Sequence, residues 1–194
     1  MAERLVEEVG HGQARRYQEG WRDSASMLVD MLVEIPQGSR NKYEIDYESG
    51  RIYLDRRLFT ATRYPADYGY IPETLADDGD ALDAMALVSE PTFPGCWVTI
   101  KPVGLFVMED QGKEDLKILG VPIGDPLWRN AEKLADIPDH LLLELEHFFT
   151  IYKDLEGKKT AVHGWQEAPE AHSAIERARG AYEDGGEAES SSGP

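Results

Sequence analysis

The chain has 194 residues and a formal net charge of −17 at pH 7, with 41% hydrophobic and 29% charged residues. These values predict one globular domain and argue against a large nucleic-acid-binding surface, which needs clustered lysine and arginine. No apolar run approaches the roughly 18 residues of a membrane-spanning helix, and the polar N-terminus has no apolar export segment, so a cytoplasmic location is expected. The single cysteine, Cys96, excludes an intrachain disulfide bond.

Both ends of the chain are predicted to lie outside the folded domain. Residues 1–26 are polar and show little periodicity, which is compatible with a flexible extension, a short helix or an artefact of start-codon choice. Residues 181–194 are acidic and rich in glycine and serine. This composition predicts a disordered tail, because it offers too little apolar surface to bury. The domain is therefore expected to span residues 27–180.

Residues 27–122 show the pattern of short strands separated by turns. Apolar or alternating runs predict strands at 27–36, 81–88 and 116–122 and a hairpin over 42–55. A longer strand is predicted at 96–108, with a bend where Pro102 and Gly104 interrupt it. Several short strands with frequent turns indicate a barrel or a sandwich.

The last third of the chain changes to helical periodicity. A helix is predicted to begin at Pro138 and Asp139, and a second helix is predicted from near Pro169 to Arg179. One face of the first helix collects Leu141, Leu145, Phe148, Phe149 and Tyr152. Both helices are expected to pack on the strands, which gives an α+β class that is mainly β.

Two clusters of aspartates carry the strongest chemical signal. Asp78, Asp80 and Asp83 surround a glycine, and such carboxylates are hard to keep ionised and close together without cations. Asp110 and Asp115 flank a turn between two predicted strands. Carboxylates suit Mg²⁺, whereas one cysteine and five scattered histidines disfavour zinc. Taken alone, each cluster is equally compatible with an ordinary polar turn.

Basic and phenolic side chains occur where an anion would need them. Arginine binds phosphate oxygens through its planar fork, and lysine binds them as a point charge. In a chain this acidic, the same side chains could instead form simple ion pairs. The set consists of Lys42, Arg56, Lys117 and Lys153, with Tyr64, Tyr68 and Tyr152 near them in the sequence.

Taken together, these segments resemble the family I soluble inorganic pyrophosphatases. The family motif Asp-x-Asp-(Pro/Glu)-apolar-Asp reads DGDALD at residues 78–83, so Ala81 stands where Pro or Glu is usual and implies a somewhat looser loop. Further blocks match in order: VEIPQGSRNKYEID, LDRRLFTATRYPADYGYIPETL, KPVGLFVMEDQGKEDLKILGVP and HFFTIYKDLEGKK. The resemblance covers about residues 29–179. It implies a five-stranded OB-like closed barrel with flanking C-terminal helices.

The resemblance implies that inorganic pyrophosphate is hydrolysed to two orthophosphates, with three to four Mg²⁺ per active site and Mn²⁺ as a substitute. It implies metal ligation by Asp78, Asp83, Asp110, Asp115 and Glu34. It implies phosphate contacts from Lys42, Arg56, Lys117, Tyr152 and Lys153. Glu44, Tyr64 and Tyr68 would line the site. Asp80 is predicted to accept a proton from the attacking water or to orient it.

Two other functions stay open at this point. A metal-dependent hydrolase of another phosphoanhydride would need a base-binding pocket or a long basic groove, and a non-catalytic OB-type binding module would need basic grooves with stacking aromatics. The sequence gives no sign of either feature. The expected partners are pyrophosphate and further copies of the chain, with neither nucleic acid nor membrane. Bacterial relatives imply a hexamer; His147 matches an interface position, but Ile151 replaces a histidine found in some relatives.

Overall fold

The computed structural model describes residues 27–46 and 49–190, with the backbone alone over 186–190. Within these residues the chain forms eight strands and two α-helices. The strands are β1 (Val29–Ile35), β2 (Asn41–Ile45), β3 (Ile52–Arg57), β4 (Asp67–Tyr70), β5 (Asp83–Ala86), β6 (Trp97–Asp110), β7 (Lys113–Pro122) and β8 (Thr160–Glu167). Helix α1 (Asp139–Ile151) precedes β8, and helix α2 (Ala168–Ser190) follows it.

Six of the strands form one sheet in the order β1-β4-β5-β7-β6-β8, and β1 pairs with β6 as well as with β4. The pair β5–β7 is parallel and its neighbours in this sheet are antiparallel. Strands β2 and β3 form a separate antiparallel hairpin. The predicted class, mainly β with two C-terminal helices, is confirmed.

The predicted bend in the long strand is present in β6, where the register with β7 shifts between Pro102 and Gly104. Proline cannot donate a hydrogen bond to the neighbouring strand. At Gly104 a Cβ atom would lie 2.3 Å from Cδ2 of Leu134, so this position has no room for a side chain. Because Gly104 has no side chain, Leu134 in the 3-10 turn Leu134–Asp136 can pack directly on the strand.

The two helices bury their apolar faces in two different hydrophobic clusters. Leu145, Phe148 and Phe149 of α1 pack with strand residues that include Phe106. The apolar face of α2 packs in the other cluster and consists mainly of small residues: Ala171, Ala174, Ile175 and Ala178. Small side chains allow this helix to approach the strands closely.

Three elements differ from the sequence prediction. Strands β4 and β8 were not predicted; β4 contains Gly69 and β8 contains Gly164, and glycine disfavours strands. Helix α2 continues past Arg179 to Ser190, which differs from a disordered segment beginning at residue 181. Alanine and glutamate, which favour helix, occur in this segment, and the helix continues there beyond its buried part. The predicted N-terminal extension, 1–26, and residues 191–194 lie outside the described residues. No helix of the described chain is long and apolar enough to cross a membrane.

Candidate active site

A cavity of about 420 Å³ lies where the β2–β3 hairpin, the 78–83 loop, the β6–β7 hairpin and the end of α1 meet. It is lined by seven carboxylates and three lysines. The full lining is Glu34, Lys42, Glu44, Ile45, Tyr64, Tyr68, Tyr70, Asp78, Asp80, Ala81, Asp83, Asp110, Asp115, Lys117, Tyr152 and Lys153. The carboxylates outnumber the lysines, so an anionic ligand requires additional positive charge in this cavity.

Thirteen of the fourteen predicted site residues line this cavity, although they come from segments far apart in the sequence. Arg56 is the exception. Its Nε donates to Oε1 of Glu156 at 3.1 Å, and its Nη1 donates to Asp55. Tyr70 also lines the cavity and is not among the predicted site residues; the signal for it was its place as the third tyrosine of the 63–70 segment.

Lys117 forms the centre of the buried part of the cavity. It is 1% exposed, and its Nζ donates to Asp83 Oδ2 at 2.6 Å, Asp115 Oδ1 at 2.5 Å and Tyr68 Oη at 3.0 Å. Burial acts to lower the pKa of Lys117, but the charges of Asp83 and Asp115 outweigh it and hold the pKa above its ordinary value. The ammonium is therefore charged at neutral pH. Desolvation raises the pKa of Asp115 despite this neighbour.

A second lysine joins the end of α1 to the β6–β7 hairpin. Lys153 Nζ donates to Asp110 Oδ2 at 2.5 Å, while Asp110 Oδ1 is buried and has no hydrogen-bond partner among the described residues. A buried carboxylate oxygen without a donor is costly. Asp110 therefore has one oxygen available to a ligand.

At the opposite wall, Glu34 and the β2 strand bring further carboxylates into the cavity. Glu34 Oε1 accepts a hydrogen bond from the Ile45 amide at 2.9 Å, and Lys42 Nζ donates to Glu44 at 2.5 Å. Burial raises the pKa of Glu34 from 4.5 to about 7, despite the Ile45 hydrogen bond. Burial therefore makes the charged form of Glu34 costly at this wall.

The 78–83 loop is held by its own backbone. Gly79 N donates to Ala76 O at 3.0 Å, and Gly79 has a φ of +97°, a conformation that favours glycine. The Asp80 amide donates to Asp78 Oδ1 at 3.1 Å. Burial and the charges of Asp78 and Asp83 raise the pKa of Asp80. Within the described residues Asp80 has no ion pair, so its carboxylate is available for chemistry.

The residues present fit divalent cations of the Mg²⁺ type. Such cations prefer carboxylate oxygens, which this cavity supplies in excess, and Asp110 offers an orphaned oxygen. In the part of the chain that the structure describes, no three acidic, histidine or cysteine side chains converge on one point. Lysines lie between several of the carboxylates instead, as Lys117 does between Asp83 and Asp115. The donor set therefore matches the ion, while the ion pairs would have to rearrange to admit it.

Comparison with known proteins identifies the family of the chain. The sequence model of the inorganic pyrophosphatase family matches residues 31–183. The chain belongs to this family. It is 50% identical over 148 residues to an inorganic pyrophosphatase of Leifsonia xyli, covering 76% of this chain and 91% of the relative. It is 51% identical over 152 residues to one of Methanosarcina mazei, covering 78% and 90%.

Among solved structures, the chain is similar to the inorganic pyrophosphatase from Thermus thermophilus, with a TM-score of 0.79 and 40% sequence identity. The alignment covers 82% of this chain and 94% of that one. The chain therefore resembles the family in fold as well as in sequence. The pyrophosphatase family generally requires a divalent metal.

Proposed function

We infer that the protein hydrolyses inorganic pyrophosphate to two orthophosphates in the 420 Å³ cavity, as a Mg²⁺-dependent inorganic pyrophosphatase. The observation that carries this inference is the convergence of seven carboxylates and three lysines on one cavity in a chain of this family. Carboxylates can hold cations and lysines can bind phosphate oxygens, and hydrolysis of a phosphoanhydride needs both.

Five carboxylates would hold three to four Mg²⁺ ions, with Mn²⁺ as a substitute: Asp78, Asp83, Asp110, Asp115 and Glu34. When bound, the ions would offset the negative charge of the cavity and lower the pKa of a coordinated water toward neutrality. The raised pKa values of Glu34 and Asp115 are consistent with this assignment, because burial destabilises the charge of both carboxylates and a bound cation would offset that cost.

Asp80 would accept the proton of the attacking water or orient that water. Two observations support it: Asp80 lines the cavity without an ion pair in the described chain, and its pKa is raised. A carboxylate with a raised pKa holds a proton more firmly than an ordinary one, which suits a general base. The neighbouring Asp78 and Asp83 supply part of the negative charge responsible.

The phosphate oxygens would be bound by Lys42, Lys117, Lys153, Tyr152 and Arg56. Lys42 and Lys153 now donate to carboxylates at 2.5 Å, and pyrophosphate oxygens would be alternative acceptors for the same ammonium groups. Arg56 lies outside the lining, but its Nη2 has no partner among the described residues and can donate to a phosphate. Glu44, Tyr64 and Tyr68 would complete the wall.

The finer features of the fold and assembly are proposals as well. Pairing of β1 with both β4 and β6 completes a ring of five strands, β1-β4-β5-β7-β6, which supports a closed OB-like barrel. The domain would span residues 27–180. A homo-hexamer would use α1, on which His147 is exposed and Ile151 half-buried. A cytoplasmic location stays a prediction.

Phosphate release from pyrophosphate, measured with and without Mg²⁺, tests the function. We expect metal-dependent release that falls about a hundredfold or more in Asp80→Asn, since general acid–base groups contribute factors of this size. Asp77→Asn is the matched control, because Asp77 directly precedes the 78–83 loop but does not line the cavity. Its rate should stay close to that of the wild type.

Folded wild-type protein that releases no phosphate with saturating Mg²⁺ would contradict the proposal. Equal losses in Asp77→Asn and Asp80→Asn would instead contradict the role of Asp80. Tripolyphosphate and ATP, run in parallel, test the alternative phosphoanhydride substrates, and both are expected to be hydrolysed more slowly than pyrophosphate. A salt-dependent gel shift with single-stranded nucleic acid tests the binding-module alternative and is expected to show no complex.

A further inference from the structure

Three arginines lie together on the outside of the β2–β3 hairpin and the turn that follows it. Backbone hydrogen bonds join the three segments that carry them: Leu58 N donates to Arg40 O at 2.7 Å, and Tyr64 N donates to Ser39 O at 3.0 Å. The antiparallel register places Arg57 opposite Asn41, next to Arg40 in the sequence. Arg40, Arg57 and Arg63 are called the arginine triad below.

Backbone carbonyls hold two of these guanidinium groups in place. Arg40 Nη2 donates to Thr60 O at 2.5 Å and, more weakly, to Leu58 O at 3.5 Å. Arg63 Nη1 donates to Gly38 O at 2.8 Å. Carbonyl acceptors fix the direction of a guanidinium but leave its positive charge in place, so the charge of the triad remains.

The triad has no carboxylate partner within the described residues. The adjacent Arg56, in contrast, pairs with both Asp55 and Glu156. Desolvation and the charges of Arg57 and Arg63 lower the pKa of Arg40, as expected for like charges on neighbouring segments. Three arginines without a carboxylate partner in the described part of the chain are unusual for a net charge of −17.

One donor of the triad is buried without an acceptor. Arg40 Nε has no hydrogen-bond partner among the described residues. A buried donor in this state costs free energy, and the neighbouring hydroxyls, Thr60 Oγ1 and Thr62 Oγ1, are bonded to each other at 2.5 Å. An acceptor with several oxygens bound by the exposed Arg57 and Arg63 would offset the positive charge of the three groups.

We propose that the arginine triad is a binding site for a small phosphate-class oxyanion, separate from the carboxylate-lined cavity. None of the three arginines lines that cavity. The fork of N–H groups on a guanidinium matches the oxygens of a phosphate, and three forks on neighbouring segments suit one compact anion. An extended nucleic acid would need a longer basic surface, which the acidic composition of this chain does not favour.

Calorimetric titration with inorganic orthophosphate tests the site, at constant ionic strength and with EDTA present. Without divalent metal the cavity is strongly negative, so we expect the wild type to bind one phosphate per chain at the triad. The double variant Arg57→Gln/Arg63→Gln removes two charged donors and should weaken binding on the order of a hundredfold, because each charge-assisted hydrogen bond is worth about tenfold in affinity. Circular dichroism of the variant should match that of the wild type.

Two controls separate the triad from other sources of binding. Arg51→Gln/Arg129→Gln makes the same change in net charge at exposed arginines elsewhere and should bind phosphate like the wild type. Lys153→Gln alters the cavity and should also keep the affinity. The triad variant should still hydrolyse pyrophosphate at the wild-type rate, because its substitutions lie outside the cavity.

Several outcomes would overturn the proposal. These are a wild type that binds no orthophosphate at millimolar concentration, a triad variant with unchanged affinity, and equal weakening in the charge control. Loss of binding in Lys153→Gln but not in the triad variant would move the phosphate to the cavity. A duplex nucleic acid that binds more tightly than orthophosphate at the same ionic strength would replace the small oxyanion as the ligand.

Discussion

Replacing Lys117 by methionine measures the free energy that the buried ion pairs of the cavity contribute. The Lys117 side chain is 1% exposed and contacts Asp83 and Asp115, whose side chains are 30% and 15% exposed. Methionine keeps most of the volume but leaves two carboxylates beside each other. Removing one partner of a buried pair costs about 3–5 kcal/mol. Water screens part of the charge on Asp83, so we expect about 3 kcal/mol.

Urea unfolding at pH 8 in EDTA measures this loss, because no bound cation can then replace the ammonium. A loss of about 3 kcal/mol corresponds to a melting temperature lower by about 6–12 °C in a chain of this size. The difference between variant and wild type should shrink as the pH falls, because the pKa of Asp115 is raised and its protonation ends the repulsion.

Lys101→Met is the matched control for this experiment. Lys101 is also buried, and its Nζ lies 2.6 Å from Glu132, but the Glu132 side chain is 53% exposed. The carboxylate left behind stays in water, so the loss should be below about 1 kcal/mol. If Lys117→Met loses no more stability than Lys101→Met in EDTA, buried charge does not dominate the energetics of the cavity and the reasoning is wrong.

Three further substitutions have expected outcomes. Because the Glu34 pKa is raised from 4.5 to about 7, the folded wild type loses stability as the pH rises through this range. Glu34→Gln keeps an acceptor for the Ile45 amide but carries no charge. The variant should therefore be about 2 kcal/mol more stable than the wild type at pH 8 in EDTA. Equal urea midpoints for the two proteins at pH 5 and at pH 8 would contradict this. A Cβ at Gly69 would lie 2.0 Å from Leu32 O, so Gly69→Ala should lose at least about 3 kcal/mol in urea unfolding or fail to fold. Gly180→Ala meets no atom within 4 Å inside α2 and should gain about 0.5–1 kcal/mol in the same assay; a loss would show strain there.

The sequence predicts those parts of the fold whose signals are local. Alternation of apolar residues and turn chemistry locate the β2–β3 hairpin and most of the sheet, and helical periodicity locates the start of α1 at Asp139. Strand β4 is not predicted, because Gly69 resembles a turn residue when only its neighbours in the sequence are considered. Its strand conformation depends on close contact with Leu32, in a different part of the chain. Contacts of this kind cannot be inferred from periodicity.

The sequence also predicts which residues meet at the cavity, because each family block carries its residues at fixed spacing. The same spacing does not say how a long side chain is oriented. Arg56 occupies its expected place on β3, but its guanidinium binds Glu156, one hundred positions further along the chain. Glu156 is 6% exposed and lies in the turn after α1. The residues next to Arg56 in the sequence therefore predict its strand but not its ion-pair partner.

The register between β5 and β7 decides whether the cavity exists at all. These strands are parallel and place Asp83 opposite Lys117, and side chains alternate between the two faces of a strand. A slip of one residue would bring Leu116 or Ile118 to this position and turn the ammonium to the other face. Ile118 is fully buried in the apolar cluster beneath α2, so a slip would put a charge into that cluster. Apolar packing on one face thus fixes the ion pair on the other, which is why Lys117 and Asp83 meet at 2.6 Å.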